Sequence, residues 1–155
     1  MVSEPQLPED LRPILHHLEA AYPNEGCGVI LRNLANGRWR VQPMRNAYDE
    51  YRARDPSGYP RSSRTAYVFD SREQLRVWET AEATGEHVAC VFHSHTDAGA
   101  YFSAEDRAMA APSGEPLLPG MAYLVVAVDR GKATAAKLFW WGGADFSERP
   151  VQLTE

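Results

Sequence analysis

Residues His87 to Phe92, read HVACVF, form a nearly continuous apolar run. A short run with no polar alternation predicts a strand buried on both faces. Such a strand needs a packed layer above it and another below it. The chain must therefore be layered, with helices over a sheet. The flanking sequence supplies the layers. Leu11, Ile14, Leu15 and Leu18 fall at i, i+3, i+4 and i+7, which predicts a helix over about Pro8 to Tyr22. Pro13 fits it only in the first turn, where a missing N–H does no harm. Gly28 to Arg32 reads as a short buried strand, Asn36-Gly37 as a hairpin turn, and Trp39 to Pro43 as the returning strand.

Residues 45–65 mix five Arg and three Tyr with Asp55-Pro56-Ser57-Gly58, and are expected to be a long loop. Its basic and aromatic content suits a mobile rim that grips an extended substrate. Ala66 to Phe69 reads as a strand. Asp70 or Ser71 caps a helix to about Ala83 that buries Leu75, Trp78 and Ala81, and Gly85 ends it. After the central strand come a loop, a helix from about Ser103, and a Pro/Gly-rich loop from Pro112 to Gly120. Met121 to Val128 and Thr134 to Trp141 read as strands. Residues 1–8 are a polar lead-in. Residues 142–155 are a tail, with a short strand at Val151 to Leu153. The expected fold is α/β: one domain over 1–155, a central mixed sheet flanked by helices.

Composition narrows the function classes. A net charge of −5 argues against broad nucleic-acid or anionic-membrane binding. Cys27 and Cys90 are the two cysteines, too few for a disulfide framework and suited to a reducing cytosol. Both sit in apolar strand contexts and read as buried, inert thiols, although Cys27 stands close to Glu25. The first residues lack the apolar core of a signal peptide. No apolar run approaches the roughly 20 residues that span a bilayer. A cytoplasmic location is the expectation.

The chemistry concentrates just after the central strand, at His93-Ser94-His95. Residues i and i+2 on a strand point to one side. Both imidazoles can then reach one metal ion, and Asp106 can supply a third, anionic ligand. Two imidazoles and a carboxylate leave one position of a tetrahedral zinc open to water, whose pKa falls to about 7. Hydrolysis also needs a proton acceptor. Glu25, in Pro23-Asn24-Glu25-Gly26-Cys27-Gly28, lies at a helix–strand junction flanked by glycine and is the candidate. Ser103 can donate to the oxyanion of a tetrahedral intermediate. A plainer reading stands beside this one. Ser103-x-x-Asp106 is also a helix capping box, and an Asp that caps is not expected to ligate as well. His16, His17 and His87 read as structural. Trp140-Trp141 reads as one core and one surface aromatic.

Glu25 upstream, then His93-x-His95, seven residues, Ser103, two residues and Asp106 resemble the JAMM (MPN+) metalloprotease signature. The Pro-x-Glu-x-Cys-Gly context, Tyr67-Val68-Phe69-Asp70 before a helix, and the late Tyr123 to Val128 strand resemble its small bacterial and archaeal branch. The resemblance implies a cytidine-deaminase-like architecture. It implies Zn²⁺ on His93, His95 and Asp106, with Glu25 as general base that later protonates the leaving amine, and Ser103 as oxyanion stabiliser. It implies hydrolysis of the peptide or isopeptide bond after the C-terminal Gly-Gly of a ubiquitin-like or sulfur-carrier protein. One position departs: the family commonly has Pro after the second His, and here Thr96 stands there.

Three alternatives use the same residues differently. A metal-free MPN-like scaffold would have no need of the intact set Glu25, His93, His95 and Asp106. A two-His-one-carboxylate iron enzyme would leave Glu25 and Ser103 without a reason. A deaminase-type hydrolase would show His-x-Glu and Pro-Cys-x-x-Cys, and the chain has neither.

Overall fold

The computed structural model describes residues 3–153. Six strands make one sheet: β1 (Cys27–Asn33), β2 (Trp39–Met44), β3 (Glu86–Thr96), β4 (Ala122–Asp129), β5 (Lys132–Trp141) and β6 (Phe146–Val151). Their order is β2-β1-β3-β4-β5-β6. β3 and β4 are parallel and the other neighbours antiparallel, so the sheet is mixed. Four helices are described: α1 (Arg12–Ala21), α2 (Tyr48–Arg54), α3 (Ser71–Thr84) and α4 (Ala104–Ala110). Among these residues no helix is long and apolar enough to cross a membrane.

The run that opened the sequence is the middle of the sheet. On one face Cys90 and Phe92 of β3 pack with Ile14 and Leu18 of α1 and with Leu124 and Val126 of β4. Ile14 and Leu18 are fully buried, each worth roughly 1.5–3 kcal/mol by removal from water. On the other face Val91 packs with Val29 of β1 and with Val77, Trp78 and Ala81 of α3. β3 is therefore covered on both sides, as its composition requires. A bulge opposite Ile30 and Leu31 leaves Ala89 as an extra residue in β3. The bulge puts Val88 and Val91 on the same face, and His93 and His95 follow Val91 there.

Gly28 lies across β1–β3 from Phe92, and a Cβ at Gly28 would collide with that ring and with the Gln42 carbonyl. Gly85 ends α3 in a left-handed conformation, φ 75°, which favours glycine.

Four expectations are corrected. Residues 45–65 are not all loop, because α2 lies inside them. Asn46 Oδ1 accepts the Tyr48 N–H at 3.0 Å, and Tyr48 packs edge-on to Tyr59 at 5.5 Å. Ala66 to Phe69 is not a strand; one bridge, Asn46 to Phe69, ties it to the neighbouring chain. The tail carries β6 over Phe146–Val151, and residues 152 and 153 lie past its end. α3 buries Ala81 and packs the partly buried Val77 and Trp78 beside it, whereas Leu75 is 59% exposed. The stripe at 77, 78 and 81 faces the sheet, and Leu75 falls outside it.

Candidate metal centre

β3 runs past Phe92 to Thr96, so His93 and His95 sit on strand backbone. Both are buried. Val125 and Ala127 of β4 flank them in register. Asp106 comes from the first turn of α4, in the β3-to-β4 crossover. The centre thus lies at the carboxyl end of the sheet's one parallel pair, where open α/β sheets place ligands.

The structure brings the expected ligands together. One ligand atom each from His93, His95 and Asp106 lie within 4.8 Å of one another. His93 Nε2 is 3.3 Å from Asp106 Oδ1, and His95 Nε2 is 3.2 Å from Asp106 Oδ2. His95 Nδ1 lies 3.2 Å from the Gly99 carbonyl. A carbonyl only accepts, so Nδ1 donates to Gly99, and Nε2 is the ring nitrogen turned to Asp106. A divalent cation seated among Nε2 and the Asp106 oxygens would satisfy them together. His93 differs: both ring nitrogens are buried without a hydrogen-bond partner, although Nε2 lies 3.3 Å from Asp106 Oδ1. Burial pushes the His93 pKa down, against the pull of Asp106, so the ring is held neutral as a metal ligand must be. Burial alone would raise the Asp106 carboxyl. His93, His95 and the Ser103 N–H outweigh it and hold the group ionised, well below the usual carboxylate range. The three residues fit a divalent metal.

Asp106 also completes the capping box of its helix, so the plainer reading of Ser103-x-x-Asp106 holds in the structure. Its Oδ2 accepts the Ser103 N–H at 3.0 Å, and Ser103 Oγ accepts the Asp106 N–H at 3.0 Å. Both oxygens still face the imidazoles, because the cap uses only one lone pair of Oδ2.

Glu25 and Ser103 line the same cleft, of about 610 Å³, together with His95, Asp106, Arg61 and Tyr67. Glu25 is 6% exposed. Burial, reinforced by the Asp106 charge, raises its pKa to about 8 against some relief from Arg61. Its backbone is held on both sides. The Glu25 N–H donates to the Ser63 carbonyl at 2.7 Å, and Asn46 Nδ2 donates to the Glu25 carbonyl at 2.9 Å. Gly26 N–H donates to Ser94 Oγ at 2.8 Å, so the residue between the two histidines tethers the segment that carries the acid.

Sequence reasoning passed over several of these supports. Tyr67 stacks on His93, with centroids 4.4 Å apart, and Tyr101 meets His95 edge-on at 4.6 Å. Burial pushes the Tyr67 phenol well up, so a neutral ring covers His93. Ser94 had a visible signal, its place between the histidines. Asn46 and Ser63 had none, because their roles depend on distant partners. The bland readings fare well elsewhere: His16 and His87 are exposed, and His17 Nε2 contacts the Cys27 carbonyl at 2.9 Å. Burial raises both thiols, and Glu25 raises Cys27 further, so neither is poised as a nucleophile.

Residues 8–141 match the family described as prokaryotic homologs of the JAB domain. The chain belongs to the prokaryotic JAB-domain family. This agrees with the resemblance carried by the motif. Among solved structures, this JAB chain is similar to a protein from Desulfitobacterium hafniense, with TM-score 0.61 and 28% identity over 94% of this chain and 88% of that one. A protein from Salinibacter ruber is similar too, with TM-score 0.58 and 26% identity over the same shares, 94% and 88%. Among curated proteins, the CysO-cysteine peptidases of Mycobacterium tuberculosis and Mycobacterium bovis are 36% identical over 91 residues, 58% of this chain. The chain spans about half, 53%, of the length of these relatives.

Proposed function

We propose that this JAB-domain protein is a zinc-dependent peptidase. Its substrate is the peptide or isopeptide bond after the C-terminal Gly-Gly of a ubiquitin-like or sulfur-carrier protein. The observation that carries the reading is the convergence of three cation-demanding ligands with a separate buried acid in one cleft. Family membership and the similarity to CysO-cysteine peptidases support it.

A zinc ion held by His93, His95 and Asp106 would supply a Lewis acid and a water acidified to a pKa of about 7. Glu25 lies in the same cleft but outside that triad, and a divalent charge on the triad would lower the carboxyl pKa that burial and Asp106 raise, which supports reading Glu25 as the proton acceptor and not a ligand. It takes the proton of the attacking water and returns it to the departing amine. Ser103 Oγ already accepts from the Asp106 N–H, which leaves its own O–H to donate to the substrate oxyanion. The Gly99 carbonyl fixes the His95 tautomer throughout. Gly-Gly suits a cleft walled by Tyr67, Tyr101 and Met109, where larger side chains would clash.

The test is cleavage of a ubiquitin-like carrier fused through Gly-Gly, with zinc-loaded protein, chelated protein and Glu25→Gln. Glu25→Gln should keep zinc and lose about 10²–10⁴ in kcat, the range for a general base. Normal turnover by Glu25→Gln, or by metal-free His95→Ala, would sink the mechanism.

A further inference from the structure

We infer that Thr96 is a positioning residue whose hydroxyl locks residues 63–67 across the end of β3, and so sets Glu25 against the His93, His95 and Asp106 group. Thr96 Oγ1 donates to the Arg64 carbonyl at 2.7 Å. One residue earlier, the Ser63 carbonyl accepts the Glu25 N–H at 2.7 Å. Two residues later, the Ala66 carbonyl accepts from Asn46 Nδ2 at 3.0 Å, the same amide group that donates to the Glu25 carbonyl. Tyr67 then stacks on His93. This short strap therefore reaches the metal strand at Thr96 and His93. It holds the backbone of the candidate base directly through Ser63 and indirectly through Asn46.

The far side of the strap is anchored to α2. Asp49 Oδ1 accepts the Ser63 N–H at 2.8 Å, and Tyr48 Oη accepts the Arg61 N–H at 3.2 Å. On the near side, among the described residues, the Thr96 hydroxyl makes the one hydrogen bond between residues 61–66 and β3. The strap is not a strand, so no ladder substitutes for that bond. Without it, Ser63 can shift off β3 and Glu25 loses support on that side, keeping the Gly26–Ser94 bonds on the other. Angstrom-scale displacement of a catalytic group is costly to rate, whereas the metal ligands stay on β3 and α4.

The inference rests on the peptidase reading for its kinetic part and on the structure alone for the rest. Thr96→Val keeps the side-chain shape and removes the donor, Thr96→Ser keeps the donor, and Thr96→Ala removes both. The Val variant should bind zinc with unchanged stoichiometry and exchange its Glu25 amide about tenfold faster, as expected for one lost hydrogen bond. Its kcat on the Gly-Gly fusion should fall about tenfold with KM within about twofold, and Thr96→Ser should restore both values. If Val does not fold, the Ser and Ala variants make the same comparison. Glu25 amide exchange equal in wild type and donor-less variants overturns the inference, as does equal loss in the Ser variant. Exchange and zinc binding need no substrate. Wild type that fails to cleave the fusion would therefore remove the peptidase reading and leave the strap to be judged by exchange.

Discussion

Replacing Glu25 by Gln should stabilise the metal-free protein, by an amount that depends on pH. Burial, with Asp106 nearby, raises the Glu25 pKa from an ordinary 4.5 to about 8. Below pH 4.5 the folded and unfolded chains both hold the proton, and the carboxyl costs nothing. As pH rises, the unfolded chain ionises first while the folded chain keeps its proton, so stability falls through the window from 4.5 to about 8. Above that window the loss is complete and the curve is flat. Each pKa unit is worth about 1.4 kcal/mol, so the whole window is of order 5 kcal/mol. In a chain of this size that is roughly 10–20 °C in melting temperature. Gln is close in shape to the protonated acid and does not titrate. Urea unfolding of wild type and Glu25→Gln in chelator, from pH 5 to 9, isolates the effect, because other groups cancel in the difference. The variant should exceed wild type by less than about 1 kcal/mol at pH 5 and by several kcal/mol at pH 8 to 9. A difference that stays constant with pH would refute both the buried placement of Glu25 and its raised pKa.

Other substitutions separate structural from metal-binding roles. Asp106→Ala should abolish zinc binding and cost about 1 kcal/mol in chelator, because the capping box loses the carboxylate that accepts the Ser103 N–H, whereas Asp106→Asn should lose zinc with less structural cost; calorimetry with and without zinc checks both. Gly28→Ala should cost about 1–3 kcal/mol in chemical denaturation, because its Cβ meets the Phe92 ring across β1–β3. Zinc added to wild type should raise the melting temperature progressively above the dissociation constant, and His93→Ala should remove that dependence.

The central strand and the ligand set were legible because both are local patterns. An apolar run bounded by polar residues specifies a doubly covered strand, and an i, i+2 pair specifies one face of it. The elements that were missed lack such patterns. Of α2, YDEYRAR, only Tyr48 is buried, and the helix is held by the Asn46 side chain and Tyr–Tyr packing, which no periodicity reveals. β6, FSERPV, is polar and contains Pro150, which reads against a strand. It is tolerated because β6 is an edge, where a missing N–H need not break a ladder. Conversely, the stretch Ala66 to Phe69 has strand-like residues but makes only one bridge, Asn46 to Phe69, just past the end of β2. The chain instead uses it beside His93. Legibility thus tracked sequence distance: the metal ligands lie within 14 positions on the chain, from His93 to Asp106, while Glu25 is oriented by Asn46, Ser63 and Ser94 from three separate segments.

On the zinc reading, the double use of Asp106 answers the cost of assembling a metal site. A carboxylate free to rotate would lose side-chain entropy on binding a cation, and three buried cation-seeking groups would otherwise need to be oriented by the cation itself. Here the capping box fixes the Asp106 rotamer before any metal arrives, since Ser103 N–H holds one oxygen and α4 fixes the backbone. The Gly99 carbonyl does the same for His95, and the Tyr67 ring for His93. Each ligand is oriented by a bond or a contact that does not involve the cation. The Ser-x-x-Asp pattern that competes with ligation when read as a cap is therefore part of what makes ligation cheap, and the two readings of the same residues are one device.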